Sequence, residues 1–274
     1  MAYQPSVQLY SLRDAVSADL DAALARVAEV GYTIVEPYAF AERPEDYRRA
    51  FAAHGLSATS GHNGVIDSDS PEKVFAIAAE LGIGTVIDPF IPTERWQNAQ
   101  DAQRLAERMN ELAPLAAKEG VTFGYHNHNW ELANHDQGRH VYEFFVEALD
   151  PAVVLEVDTF WATVGGADTP AMLKGLGDRV QFLHIKDGTV SGDIASELPS
   201  SEDAMNVSDR LERAMKEQVP AGQGQVDIPA ILAAAPQATR VVEFDGYSGD
   251  IFEGIGSSLA WLRENDPQAQ EGTA

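Results

Sequence analysis

The chain of 274 residues contains no cysteine. That excludes disulfides, thiolate zinc sites, iron–sulfur clusters and cysteine nucleophiles. Positive charge is scarce too: 19 Lys and Arg stand against 43 Asp and Glu, a formal net charge of −24. Phosphate backbones repel so acidic a body, and no Lys/Arg run offsets the repulsion, so nucleic-acid binding is not expected. Anionic membrane surfaces are disfavoured on the same ground. No apolar run reaches the roughly 18 residues of a membrane span. The opening Met1-Ala2-Tyr3-Gln4-Pro5 lacks the basic and apolar regions of a signal peptide, which makes a cytoplasmic location the default expectation. A Gly-rich phosphate turn is missing as well. The first strand candidate runs into Leu9-Tyr10-Ser11-Leu12-Arg13-Asp14, which speaks against a dinucleotide-binding open sheet and against a phosphorylated substrate.

What is present is ordinary globular material, 45% apolar and 23% charged, enough to bury a sizeable core. Short β-like runs alternate with amphipathic helical stretches. The strand candidates are Ser6–Tyr10, Thr33–Pro37, Ser57–Gly61, Thr85–Pro89, Thr122–His126, Val153–Asp158, Val180–Lys186 and Arg240–Phe244. Helical patterns cover Ala18–Val30, Pro44–His54, Pro71–Leu81, Trp96–Glu119, Val141–Leu149 and Thr169–Leu176. Gly31, Gly55, Gly82 and Gly120 each follow a helical pattern directly, the usual stop position. Strand–helix repeats imply parallel pairing through right-handed crossovers. Eight of them in a chain of this length predict an α/β fold, a single (β/α)8 TIM barrel over 1–264, with a frayed tail over 265–274. The long acidic segment Thr189–Gly224 follows the seventh strand candidate and contains a helical pattern at Ser208–Glu217. It is either a cover over the substrate or a tolerated surface insertion.

Barrel chemistry sits at strand C-termini. There the sequence places Gln8 and Tyr10, Glu36, His62, Tyr125-His126-Asn127-His128 with Glu131, Asp158 with Trp161, His184-Ile185-Lys186, and Glu243. Four of the seven histidines fall at these ends. Gathering so many titratable groups on one buried face is costly unless something uses them. A divalent cation would hold carboxylates and neutral imidazoles together, and a sulfur-free donor set suits Mn, Co, Zn or Fe, with Mg less natural. Lys186 could bind a carbonyl, hydroxyl or phosphate oxygen, or simply pair with Asp187 or Glu156. Glu36 and His62 could grip substrate hydroxyls or make structural hydrogen bonds. Trp161 is a stacking wall or core packing.

In order and spacing these pieces resemble the sugar phosphate isomerase/epimerase group of xylose isomerase-like TIM barrels, which also contains inosose dehydratases and ketose 3-epimerases. The resemblance runs from Val7-Gln8-Leu9-Tyr10 to Val242-Glu243-Phe244. It is carried by Tyr125-His126-Asn127-His128, Leu155-Glu156-Val157-Asp158-Thr159, His184-Ile185-Lys186-Asp187 and Gly222-Gln223-Gly224-Gln225-Val226-Asp227. It implies a divalent metal on four ligands, Glu, Asp, His and Glu. Asp158, His184 and Glu243 match the last three. The first Glu is missing, with Gly124 or Tyr125 near its place, so His126, His128 or Glu131 is the candidate fourth ligand. The resemblance further implies an isomerase or epimerase working on a carbohydrate through an enediolate, with Glu243 as one catalytic residue and His126 or Glu36 as the other. The alternative is a lyase that eliminates across a keto-sugar, keto-glycoside or keto-cyclitol. Gln8, Tyr10, His62, His128, Glu131, Trp161 and Lys186 are the expected substrate contacts. Self-association is left open.

Overall fold

The computed structural model describes residues 4–191 and 208–271. Nine strands occur among them: β1 (Ser6–Val7), β2 (Ser60–His62), β3 (Thr85–Asp88), β4 (Thr122–His126), β5 (His135–Asp136), β6 (Arg139–His140), β7 (Val153–Asp158), β8 (Val180–Ile185) and β9 (Thr239–Val242). β5 and β6 form a small antiparallel hairpin. The other seven lie in one parallel sheet in the order β1-β9-β8-β7-β4-β3-β2. The eighth stave, expected at Thr33–Pro37, closes the ring by single bridges, Gln8 to Glu36 on one side and Ile34 to Ser57 and Tyr38 to His62 on the other. Its backbone bonds are sound: Glu36 N donates to Val7 O at 2.8 Å and His62 N to Pro37 O at 2.8 Å. It forms no continuous ladder partly because Pro37 has no N–H to give. The result is a closed α/β barrel with its helices outside, as the alternation predicts.

Element ends depart from expectation where capping chemistry decides them. Helix Leu20–Val30 starts after Asp19, whose carboxylate accepts Ala22 N at 3.1 Å, two residues later than the apolar pattern suggests. The longest helix runs Ala99–Lys118 because Asn98 caps Asp101 N at 3.0 Å; Trp96 is core instead. Gly82 closes Pro71–Leu81 in the left-handed region, φ +76°, where a side chain would be strained. The first strand is cut short at Val7, and Leu9–Leu12 coils into a 3₁₀ turn. Of the acidic segment Thr189–Gly224, residues 192–207 lie outside the described residues; helix Asp209–Lys216 is present and is capped by Ser208.

Strand alternation sorts the interior into levels. On β7, Val154, Glu156 and Asp158 share the inward face, rising from floor to mouth. Val154 joins Ile87, Phe182 and Val241 in an apolar floor cluster inside the ring. Gly124 meets that floor: a Cβ there would lie 2.7 Å from Ile87 Cδ1 and 2.9 Å from Val154 Cγ2. A glutamate therefore has no room at 124. Tyr125 points the other way, into the helix layer, against Trp96 and Phe145. The level above the floor belongs to polar groups.

Fraying from Asn265 is also not what the structure shows for the residues it describes. Asp266 is fully buried and accepts Arg240 Nε at 2.7 Å, and the helix Pro267–Glu271 follows it. Arg240 is buried on β9, and its one carboxylate partner among the described residues comes from that segment. Asp266→Ala leaves the guanidinium buried and unpaired, and is expected to cost about 3–5 kcal/mol. Urea unfolding measures this; a loss under about 1 kcal/mol would show the pair to be dispensable.

Candidate active site

Seven staves deliver polar side chains to the mouth of the barrel. Glu156 lies at their centre. Its Oε2 is 2.5 Å from His62 Nε2, 3.1 Å from His184 Nε2 and 3.3 Å from His126 Nδ1. Glu36 Oε1 lies 2.8 Å from His184 Nε2 and 3.3 Å from His62 Nε2. Gln8 Nε2 donates to Glu36 Oε1 at 2.8 Å, and the Ser60 hydroxyl donates to its other oxygen. One level up, Lys186 Nζ sits 2.8 Å from each of Asp158 Oδ2, Glu243 Oε2 and Asp245 Oδ2. His184 joins the levels, because its Nδ1 is 2.5 Å from Glu243 Oε2. His126 spans them too, with Nε2 3.8 Å from Asp158 Oδ2.

Five buried carboxylates thus share one lysine and three imidazoles. Burial pushes Glu36 up, and the Glu156 charge beside it adds to the rise. Burial would push Glu156 up as well, but the imidazoles of His184 and His62 outweigh it and hold Glu156 ionised. Glu243 is likewise held well below the usual carboxylate range, because His184 and Lys186 overcome its burial. Burial keeps His126 neutral, helped by the His184 charge. His128 is pushed down to about 3 by burial, with Lys186 adding to it.

A cavity of about 610 Å³ opens above this cluster. Of the residues expected at the site, Tyr10, His62, His126, His128, Trp161 and Glu243 line it. Asp158, His184 and Lys186 are buried just behind that lining. Three expectations need correcting. Glu36 and Gln8 lie at depth, closed off beneath His62 and His184, so Glu36 is not placed to touch a substrate and Gln8 positions Glu36. Glu131 is turned away altogether. The short helix Trp130–Ala133 brings its carboxylate back under the strand, where it accepts Tyr125 Oη at 2.5 Å and His128 N at 3.0 Å. It braces the Tyr-His-Asn-His turn. Lys186 pairs with neither Asp187 nor Glu156. Asp187 faces away and accepts the backbone N–H groups of Gly188, Gly222, Gly224 and Val226, folding that segment against the barrel.

Sequence reasoning passed over Glu156 and Asp245 as site residues. Each lies two residues from a recognised one, on the same strand face, and the period of two was the available signal. Asp245 takes Trp161 Nε1 at 3.0 Å and Gln218 Nε2 at 2.8 Å besides Lys186. The indole of Trp161 is therefore both anchored and part of the cavity wall. Trp130, Phe90 and Tyr38, just past strand ends, also line the cavity, with Leu211 and Met215 from the helix Asp209–Lys216, which no strand-end rule reaches.

The donors suit a divalent cation. Two groups of four have ligand atoms within 4.8 Å of one another: His62, His126, Glu156 and His184, and His126, Asp158, His184 and Glu243. Three buried atoms of these groups, His126 Nδ1, Glu156 Oε1 and Asp158 Oδ2, lack a hydrogen-bond partner, though Asp158 Oδ2 faces the Lys186 ammonium. Imidazole and carboxylate without sulfur is the chemistry of Zn, Mn, Co or Fe.

The family description "Xylose isomerase-like TIM barrel" matches residues 24–265. An inosose dehydratase from Geobacillus kaustophilus is 27% identical over 192 residues, 61% of this chain and 61% of that protein. The matched stretch thus spans about three-fifths of the curated relative's length. Among solved structures, a sugar phosphate isomerase/epimerase from Parabacteroides distasonis superimposes with a TM-score of 0.75 at 24% identity, over 100% of this chain and 96% of that one. The IOLI protein with a bound zinc atom gives 0.68 at 16% identity, over 96% and 98%.

Burial also raises the Glu131 carboxyl to about 8, against the hydrogen bonds it accepts. The folded state then holds a proton that the unfolded chain releases near its ordinary value. The resulting stability is complete below pH about 4.5 and is lost as the pH rises toward 8. Glu131→Gln removes this dependence, since the Tyr125 hydroxyl can turn to accept from the amide. The variant should gain on the wild type steadily between pH 5 and 8.5, by up to about 5 kcal/mol. Parallel curves of Tm against pH for the two proteins would contradict it.

Proposed function

The chain belongs to the xylose isomerase-like TIM barrel family, and on that premise we propose that it is a divalent-metal-dependent lyase eliminating across a neutral keto-sugar, keto-glycoside or keto-cyclitol. One observation carries the choice. Glu243 is the one buried glutamate among the described residues that lines the cavity, with Asp245 beside it, and imidazoles rather than a second buried glutamate face it across the ring. Inverting a carbon centre calls for proton-exchanging groups on both faces of the substrate. Elimination calls for one base at the carbon beside the carbonyl and one proton donor at the departing oxygen. The inosose dehydratase relative supports the same direction.

The bound metal would supply Lewis-acid polarisation of the substrate carbonyl, held among His62, His126, Glu156, Asp158, His184 and Glu243. The chain's own residues do the rest. Glu243, ionised and on the cavity wall, accepts the proton from the carbon. The electron pair left on that carbon becomes the carbon–carbon double bond as the bond from the β-carbon to its oxygen breaks, and the oxygen takes up the proton that Glu243 removed and leaves as water or as an alcohol. His128 is the cavity imidazole outside both donor groups, its Nδ1 is without a partner, and it stacks on Trp130 with ring centroids 4.5 Å apart. That places a fixed neutral imidazole to hydrogen-bond the departing oxygen, as neutral histidines can. His126, expected from the sequence as acid or base, belongs to both donor groups, so its part is to hold the metal. The carboxylates Glu243 and Asp245 on the wall disfavour a phosphorylated substrate, and the aromatic rim of Tyr10, Tyr38 and Trp161 suits sugar faces.

The test is NMR of Mn-loaded protein with keto-glycosides and inososes in D2O. Loss of water or of the aglycone, with a conjugated enone absorbing in the ultraviolet, is expected. Deuterium appearing beside the carbonyl with every oxygen retained would make the protein an epimerase. Glu243→Gln and His128→Ala should each lower kcat by roughly 100-fold or more, His128→Ala with the metal still bound.

A further inference from the structure

The cavity is larger and more apolar than a sugar ring needs. Its volume of about 610 Å³ falls in the range of about 300–1,000 Å³ that takes a drug-sized ligand, whereas a cyclitol or monosaccharide has only about a dozen heavy atoms. Its base is the polar cluster described above. Away from that base the wall is apolar. Phe90, Trp130 and Trp161 follow three neighbouring staves, β3, β4 and β7. The helix Asp209–Lys216 adds Leu211 and Met215, one turn apart on one face; apart from Ala214 the rest of that helix is charged. These surfaces have little left to offer a hydroxyl. Trp130 Nε1 already donates to Ile91 O at 3.1 Å, and Trp161 Nε1 to Asp245 Oδ2 at 3.0 Å. Asn63, also in the lining, spends its amide on backbone, accepting Ala41 N and donating to Gly64 O, each at 3.2 Å. A sugar ring seated against this wall would leave hydroxyls without partners, whereas a flat apolar group would stack there. No Lys or Arg is among the described residues that line the cavity, so nothing favours an anionic group. The wall is also fixed in place. Gln218, two residues past the helix, donates to Asp245 Oδ2 and accepts Asp245 N, both at 2.8 Å. A Cβ on Gly246 would lie 3.1 Å from Met215 O, so the helix rests on the chain just past β9.

His128 joins the polar base to the apolar wall. Its ring lies 5.0 Å from that of His126, stacks on Trp130 at 4.5 Å and has Phe90 at 5.9 Å, centroid to centroid. A departing oxygen held at His128 therefore carries its own carbon group toward Trp130 and Phe90. We infer that the apolar part of the cavity is a leaving-group subsite, and that the substrate is a keto-glycoside with a flat, apolar, uncharged aglycone rather than a free keto-sugar or keto-cyclitol. The inference rests on the eliminating-lyase reading above and selects among its substrates. The chemistry then fixes the carbonyl. For the anomeric oxygen to depart from the β-carbon, the carbonyl is at C3 of the sugar and the acidic proton at C2. Glu243 accepts that proton, the electron pair left on C2 becomes the C1–C2 double bond, and the bond from C1 to the aglycone oxygen breaks. The oxygen takes up the proton and leaves as a phenol or alcohol. No oxidant or reductant is needed.

Two pairs of compounds test this on the Mn-loaded wild-type protein. Methyl and 2-phenylethyl 3-keto-glucosides, each as both anomers, expel alcohols of similar acidity and so differ in the apolar ring alone. Alcohol release should show kcat/KM roughly 50-fold higher for the 2-phenylethyl compound, the equivalent of burying one phenyl ring, with inososes no better than the methyl compound. The plain methyl and 2-phenylethyl glucosides lack the carbonyl and do not react. Calorimetry should find the 2-phenylethyl one bound roughly 20-fold or more tighter. Leu211→Ser and Met215→Ser should each cut both preferences by about fivefold or more, with circular dichroism confirming the fold; the wild-type comparison needs no variant at all. Equal values within each pair would overturn the inference and leave the lyase reading intact, as would water lost from inososes with no alcohol released from either keto-glucoside. Deuterium beside the carbonyl, with the alcohol retained on both keto-glucosides, would overturn the lyase reading itself, and the affinity ratio of the unreactive pair then decides the apolar subsite alone.

Discussion

An excess of buried negative charge governs this barrel mouth. Glu36, Glu156, Asp158, Glu243 and Asp245 are drawn within a few ångströms by strands that close into a ring, and Lys186 is the one lysine among them. Desolvating carboxylates at such density is unfavourable unless cations or protons offset it. The protein divides the problem by depth. Glu36, deepest, is pushed toward its neutral form and fenced by Gln8 and Ser60. Glu156 leans on three imidazoles. The upper three share the ammonium of Lys186. A divalent cation at this mouth would relieve the same excess.

The surrounding architecture serves to hold these groups still. Gly124 keeps the floor flat so that the imidazoles can stand above it, and the apolar cluster under them excludes water from below. Asn127 ties the end of β4 to the end of β7 through Asp158 N at 3.1 Å. Glu131 locks Tyr125 and the His128 backbone, while Asp187 gathers four backbone N–H groups of the segment beside the mouth. None of these residues reaches the cavity through its charged end. Each removes freedom from a residue that does, which is how a site keeps its geometry before substrate arrives.

The strand-end rule brought His62, His126, Asp158, His184 and Glu243 together correctly, because the closed parallel barrel puts all strand C-termini on one face. It failed for Glu131. That residue follows the strand by a few positions, and the direction of a side chain after the last ladder residue depends on the turn rather than on alternation. Glu36 does join the cluster, 2.8 Å from His184 Nε2, but behind the cavity lining, and only closure of the ring shows that depth. Glu156 was legible by period but hidden by the more familiar Asp158 two residues on.

The amino-acid order alone determined the fold class, the absence of sulfur chemistry and the face on which function gathers. Those follow from local alternation, composition and chain length, which need no knowledge of distant contacts. Only the tertiary structure decided which carboxylate meets which cation. Lys186 follows Glu156 by thirty positions and precedes Asp245 by fifty-nine, yet it is bonded to the second and not to the first. The choice is made by the stagger of strands around the ring, which sets the height of every side chain above the floor, and no local pattern along the chain encodes that height.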